Sequence, residues 1–399
     1  MNLQKNPSIS GSVALGFEAV REAFTENFTR RNELGAACCI YYQGEKVVDL
    51  WGGIRNKATG EPWEEDTMVN VASTTKGMSG LAIAVVHSRG WIDYEERVCV
   101  YWPEFAQQGK DKVTVRQLLS HQAGLSALDA RVDKDVVADL DRLAVALAQQ
   151  KPAWKPGMCQ AYHAISLGFY ESELLRRADP QHRSLGKFFQ DEIASPLGLE
   201  FYIRLPEEIP NSRLATVQMA SMVQMLLHGN RRLTLGFMNP RSVIYRTFRK
   251  NPGVAIPFDT ERIYARNIEV PSQGGVGTAR AIATAYSVFA NGGRELGLRA
   301  ETLHALMAPA VPPRNGFYDE VLNREWSLSL GFAKPGPTYN FGCPGAFGTP
   351  GAGGSFGYAD PEAGVGYAYT PNRLGPIQGG DPRELALRNA LHRAIGQPI

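Results

Sequence analysis

Residues 70–80 read NVASTTKGMSG, and the fold turns on what Ser73 and Lys76 are doing in that stretch. The bland reading is an N-cap serine beside an exposed lysine; the sharp one is a reaction centre. From Ser73 to Arg89 the apolar residues Met78, Leu81, Ala82 and Val85 recur at helical spacing, and Gly90 is placed to end the helix. Residues three apart share a helix face, so the ammonium of Lys76 can approach the Ser73 hydroxyl. Serine needs a base to act as a nucleophile, and lysine serves once burial or a nearby cation lowers its pKa. A helix N-terminus adds N–H groups and a positive dipole end beside a developing oxyanion. The spacing alone is weak: Ser184-Leu-Gly-Lys187 repeats it, and that copy reads as a helix start before FFQDEIA.

On the N-terminal side, FEAVREAFTENF (residues 17–28) has helical periodicity, and AACCIYYQGEKVVDLWGG reads as two strands around the turn Gln43-Gly44. On the C-terminal side, about Cys99 to Tyr264 is rich in helical runs: VTVRQLLSHQAGL, DLDRLAVALAQQ, LGKFFQDEIASPLGL and ATVQMASMVQMLLHG. Strand signals return in the alternating run Trp326 to Lys334 and in GGSFGYADPEAGVGYAYTPN, which turns at Asp360-Pro361; a last helix spans Pro382 to Ala394. The two ends therefore build one antiparallel sheet flanked by helices, an α/β architecture with a mainly helical insertion. The expected division is 1–75 with 265–399 for the sheet and 76–264 for the helical part.

The totals fit a globular protein: 399 residues, 44% hydrophobic, 21% charged. Forty-two Lys and Arg against forty Asp and Glu give a formal charge of +2 with no basic block, which argues against a nucleic-acid partner. The first twenty residues lack a basic segment followed by an apolar stretch, and runs such as Leu81 to Val86 are far shorter than a membrane span. A cytoplasmic, membrane-free protein is expected. Five cysteines (Cys38, Cys39, Cys99, Cys159, Cys343) form an odd set without CxxC and read as reduced core residues. No HExxH or His-rich spacing suggests a metal.

Two distant stretches add weight to Ser73. Trp154 to His163 (WKPGMCQAYH) sets Tyr162 after a Pro-Gly turn, where a phenol is presented to a pocket and relays protons. Thr349-Pro-Gly-Ala-Gly-Gly354 is a Gly-rich strand edge whose backbone can approach an acyl group. In this order the three pieces resemble the serine β-lactamase and penicillin-binding-protein superfamily, with its Ser-x-x-Lys, Tyr-containing and Lys-Thr-Gly motifs, and most closely its class C-like branch with the family VIII carboxylesterases. Further support comes from Trp63 with DTMVNVASTTK, LLSHQAGL around His121 and Gly124, PLGL at 196–199, and GYADPEAGVGYAY. The resemblance implies Ser73 as acylated nucleophile, Lys76 and Tyr162 sharing its proton, and an oxyanion hole from the N–H groups of Ser73 and Ala352. It implies no cofactor.

Two departures bear on substrate. Relatives with Tyr-x-Asn carry an amide where this chain has Ala164, and those with Lys or His before Thr-Gly carry a cation where it has Thr349 before Pro350-Gly351. That cation helps bind the carboxylate of β-lactams and D-alanyl peptides; neutral esters need none. Hydrolysis of short or medium carboxylic esters ranks above β-lactamase or D-alanyl peptidase activity, although Arg or Lys from another loop would restore the charge. Acyl transfer to an alcohol and a non-enzymatic binding module on the same fold stay open as well. His163, Thr349, Gly351, Ser272 and Gln273 are the expected substrate contacts. Gly353-Gly-Ser355-Phe-Gly357 also fits GxSxG, with Asp360 or Asp381 and His392 downstream, but a strand rather than a helix follows Ser355, against a nucleophile elbow.

Overall fold

The computed structural model describes residues 7–220, 231–251, 263–375 and 379–397. The N-terminal strands are β1 (Ile9–Val13), β2 (Gly35–Tyr42), β3 (Glu45–Asn56), β4 (Glu61–Pro62) and β5 (Val69–Asn70). After the helical stretch come β6 (Phe201–Tyr202) and β7 (Val276–Gly277). The rest are β8 (Tyr318–Asp319), β9 (Arg324–Glu325), β10 (Leu328–Ser329), β11 (Phe332–Ala333), β12 (Phe347–Pro350), β13 (Phe356–Asp360) and β14 (Val365–Pro371). The main sheet is antiparallel in the order β1-β3-β2-β14-β13-β12-β11-β10, with β4 on β3. Because β2 pairs with β14, Cys39 opposite Ala368, the two ends of the chain form one sheet, as expected.

Local chemistry explains the turns. Gln43 and Gly44 both sit at positive φ (51° and 86°), the two-residue geometry that matches strand twist in a hairpin. The C-terminal helix Pro382–Ala394 starts where Asp381 accepts the Arg383 N–H and Pro382 takes the first turn. The run from Trp326 to Lys334 is not one strand: Leu330 and Gly331, at φ 51° and 89°, fold it into the β10–β11 hairpin. Most of the predicted helical run ATVQMASMVQMLLHG lies outside the described residues.

Side chains alternate across the sheet. On β13 and β14, Gly357 and Gly366 face the helix Ala279–Ala290, where a Cβ would come within 2.6 Å of Ile282 and 2.4 Å of Ser287. Tyr358 and Tyr367 fill the opposite face. The helix α1 (Glu18–Arg30) packs against Pro382–Ala394. A buried ion pair of Arg383 with Glu33 at 2.9 Å, joined by Tyr369, fastens the last helix to the start of β2, and Arg383 Nη2 also donates to Gly353 O at 2.9 Å.

The helix α2 (Thr74–Ser88) departs from the one-sided pattern expected of it. It packs on β12 and β13 and on the helices Ser166–Ala178 and Leu185–Phe189, so nearly every residue is buried. A helix wrapped on all sides has no polar face to spare. Gly77 lets it approach the sheet side, since a Cβ there would lie 2.0 Å from the Tyr286 hydroxyl. Cys38 and Cys39 are buried, whereas Cys99, Cys159 and Cys343 are partly exposed, in loops or short helices where no strand alternation turns them inward; the expectation of five core cysteines is corrected to two. Among the described residues no helix is long and apolar enough to cross a membrane.

Candidate active site

Ser73 stands on a strained turn. The preceding Ala72 has φ 46°, a left-handed conformation that costs a residue with a Cβ roughly 1–2 kcal/mol. Its surroundings over-determine it. The Ala72 N–H donates to Asn70 Oδ1 (3.0 Å), Thr75 Oγ1 donates to Ala72 O (2.6 Å), and Val71 N–H donates to Gly275 O (3.0 Å). Asn70 Nδ2 straps the turn to the 273–275 loop through Gln273 O (2.9 Å) and Gly275 O (3.2 Å). Ser73 occupies the N-cap position of α2 yet its hydroxyl makes no capping bond.

The hydroxyl faces Lys76 instead. Lys76 is fully buried, its Nζ lies 3.3 Å from Ser73 Oγ, and it donates to Ala164 O (2.6 Å) and Ser272 O (2.9 Å). A neutral amine has two N–H bonds and one lone pair. With both N–H bonds spent on carbonyls, the lone pair is left for the Ser73 proton. Burial pulls the Lys76 pKa down from 10.5 to about 7, opposed by the carboxyl of Glu171.

The ring of Tyr162 closes the group, its centroid 4.7 Å from Lys76 Nζ. It is held between His121 (5.1 Å) and Trp326 (5.7 Å, stacked). Asp319 accepts the Tyr162 backbone N–H, which fixes the loop.

The third side is the β12 edge. Gly351 is held against the nucleophile turn: a Cβ there would lie 2.5 Å from Val71 O and 2.1 Å from Ser355 Oγ, so no larger residue fits. Ala352 follows at the exposed rim. Thr349 is buried beside Gly77 and Tyr286. Ser355 is a brace, its hydroxyl donating to Val71 O at 2.8 Å and lying 3.1 Å from Thr74 Oγ1. It directly precedes β13, Asp360 is engaged by the N–H groups of Cys343 and Ala363, and Asp381 by Arg383, so no relay is assembled around it.

The expected substrate contacts His163 and Ser272 are corrected. His163 is fully buried, with Nδ1 3.0 Å from His121 Nδ1 and Nε2 accepting the Leu125 N–H at 2.9 Å; burial pulls its pKa down to about 3. It holds the Tyr162 loop to the 121–125 turn. The Ser272 hydroxyl accepts the Gly168 N–H at 2.7 Å, so Ser272 reaches the site only through its carbonyl on Lys76. Gln273 is partly exposed beside it.

Three neighbours of the site escape sequence reasoning. Trp326 reads as part of a strand run, Glu171 as part of a helix, and Arg324 carries no motif. The Arg324 guanidinium stacks 4.2 Å from the Trp326 centroid, and its Nη2 has no hydrogen-bond partner among the described residues.

Comparisons with known proteins bear on the fold and the family. The chain is 33% identical to the esterase/beta-lactamase LipL of Mycobacterium tuberculosis over 373 residues, covering 92% of this chain and 83% of LipL. The crystal structure of a family VIII carboxylesterase superposes with TM-score 0.83 at 36% identity, over 97% of this chain and all (100%) of that one. A penicillin-binding protein homolog from Caulobacter crescentus gives TM-score 0.83 at 34% identity, over 97% and 100%. The family model described as Beta-lactamase matches residues 20–392, so the chain belongs to the beta-lactamase family.

Proposed function

We propose that the protein is a serine carboxylesterase acting on small esters with short or medium acyl chains. The observation that carries the reading is the buried Lys76, held by two carbonyl acceptors with its Nζ 3.3 Å from Ser73 Oγ. Ser73 Oγ attacks the ester carbonyl as its proton passes to Lys76 Nζ. The oxyanion is held by the N–H groups of Ser73 and Ala352. As the tetrahedral intermediate collapses, the alkoxide leaves with a proton delivered through Tyr162 and Lys76. Water, deprotonated by the same pair, then cleaves the acyl-enzyme and restores Ser73. Gly351 and Gln273 border the acyl group, whereas Thr349, expected there, is turned into the packing between α2 and Tyr286. Likeness to LipL and to family VIII carboxylesterases supports the ester class. Free cysteines and a near-neutral charge are consistent with a cytoplasmic enzyme acting on small molecules away from nucleic acid and membranes.

The test is the initial rate of p-nitrophenyl butyrate hydrolysis by wild type, Ser73→Ala and Ser355→Ala. Ser73→Ala loses at least about 10³-fold, whereas a correctly folded Ser355→Ala retains turnover. If Ser355→Ala alone is dead, the reading fails. The wild-type rate rises as pH is raised through about 7, where Lys76 gives up its proton. Added alcohol that diverts product to a new ester would mark an acyltransferase.

One observation favours a second reading, β-lactam or other carboxylate-bearing substrates. Arg324, on the Trp326–Tyr162 side of the site, is a cation without an ion-pair partner among the described residues, and it would replace the charge that Thr349 lacks. Hydrolysis of a cephalosporin faster than of butyrate esters would put this reading first.

A further inference from the structure

The helix packed against α2 carries a buried carboxyl that the reaction above does not use. Glu171, on the helix Ser166–Ala178, is fully buried, and neither of its oxygens has a hydrogen-bond partner among the described residues. Oε1 is 3.2 Å from where a Cβ on Gly331 would sit, and the Cα of Gly80, one turn along α2 from Lys76, is 3.6 Å from that point. The residues around it on its own helix, Tyr170, Leu174 and Leu175, are buried in the core. An apolar side chain of this size would avoid the desolvation that an orphan carboxyl suffers. The charge of Lys76 favours ionisation of Glu171 and a Glu171 carboxylate favours the charged Lys76, each against the desolvation of burial. His121 and His163 also face Lys76, and burial keeps both neutral.

We propose that Glu171, a buried unpartnered carboxyl on the helix packed against α2 near Gly80, is a positioning residue for Lys76, whose ionisation returns a counter-charge to the lysine and so sets the pH at which Ser73 becomes reactive. Burial pushes the Glu171 carboxyl up and the Lys76 amine down while each charge favours the other, so the two titrate as one unit. The first proton lost from the pair leaves either neutral Lys76 with the acid, or charged Lys76 with the carboxylate. Only the first form accepts the Ser73 proton. A neutral residue at 171 removes the second form, so Lys76 deprotonates at lower pH.

The inference rests on Ser73 and Lys76 being the reaction centre, and its test is independent of ester turnover. A fluorophosphonate forms a P–O bond at Ser73 as fluoride leaves and Lys76 takes the hydroxyl proton. Its rate constant is measured by intact mass between about pH 5 and about pH 10 for wild type, Glu171→Gln and Glu171→Leu. The acid limb moves down by at least about half a pH unit in both variants, with the alkaline plateau within about threefold. Glu171→Leu serves if the amide variant does not fold. A limb that stays put in a folded variant overturns the inference, and so does a plateau that collapses without a shift. A wild type labelled at Ser73 but inert on p-nitrophenyl butyrate removes the esterase reading alone. A wild type unlabelled at Ser73 at every pH removes both.

Discussion

The chain contains the pattern Ser-x-x-Lys at the start of a helix at 73–76 and again at 184–187, and the structure treats the two in opposite ways. Ser184 accepts the Lys187 N–H at 3.3 Å as an ordinary cap and donates to Glu269 at 2.7 Å, while Lys187 reaches into water to meet Asp191 at 2.6 Å with its side chain 62% exposed. Ser73 makes no cap, and Lys76 is sealed among carbonyls from two distant loops. Identical spacing thus yields a helix terminus in one place and a proton-transfer pair in the other. The difference is made by what packs around the lysine: an exposed ammonium keeps its proton, and a buried one is pressed to release it.

Removing the base should separate the two copies most widely. Lys76→Met is expected to lower kcat/KM for p-nitrophenyl butyrate by roughly 10³-fold, within the usual range for a general base, and Lys187→Met to leave it within about twofold. Comparable losses in the two variants would erase the contrast.

Stability against pH sharpens it further. Lys76 has a folded-state pKa of about 7 against 10.5 when unfolded, so the unfolded chain binds more protons between these values. The burial penalty is complete below pH 7 and fades as pH rises toward 10.5. Urea unfolding should therefore show wild type gaining roughly 2–3 kcal/mol relative to Lys76→Met between about pH 6 and about pH 9. Lys187→Met should run parallel to wild type, and parallel curves for Lys76→Met would refute the depressed pKa.

The smallest effect concerns the cap. Ser184→Ala should cost about 1 kcal/mol of stability, read as a lower urea midpoint, with unchanged turnover.

Where the determinants are local, the sequence was legible. The Gln43-Gly44 turn, the Asp381-Pro382 helix start and the cap at Ser184 each depend on two or three adjacent residues. The strand after Ser355, visible as alternation, likewise sufficed to set that serine aside as a nucleophile, while its bond to the distant Val71 was not legible. Legibility ended where the partner is far along the chain. Burial of α2 on all sides depends on Tyr286 and Phe332, and the Lys76 environment on Ala164 and Ser272. Leu330 breaks a clean alternating run by taking a left-handed conformation that its side chain gives no reason to expect. His163 and Ser272 lie near the centre by their motifs, but adjacency in sequence does not say which way a side chain points, and both point into the scaffold.

The pairing of β2 with β14 has a consequence for the life of the chain before it ever meets a substrate. Cys39 finds Ala368 as its partner, so the centre of the sheet cannot close until about 330 further residues have been synthesised. At roughly 5–20 residues per second that is a delay on the order of tens of seconds. Throughout it the N-terminal hairpin presents an apolar strand with one edge bare, the arrangement that invites pairing with other chains. Translation speed and chaperone supply, more than the native state's own stability, should set how much of this protein is recovered from an expressing cell.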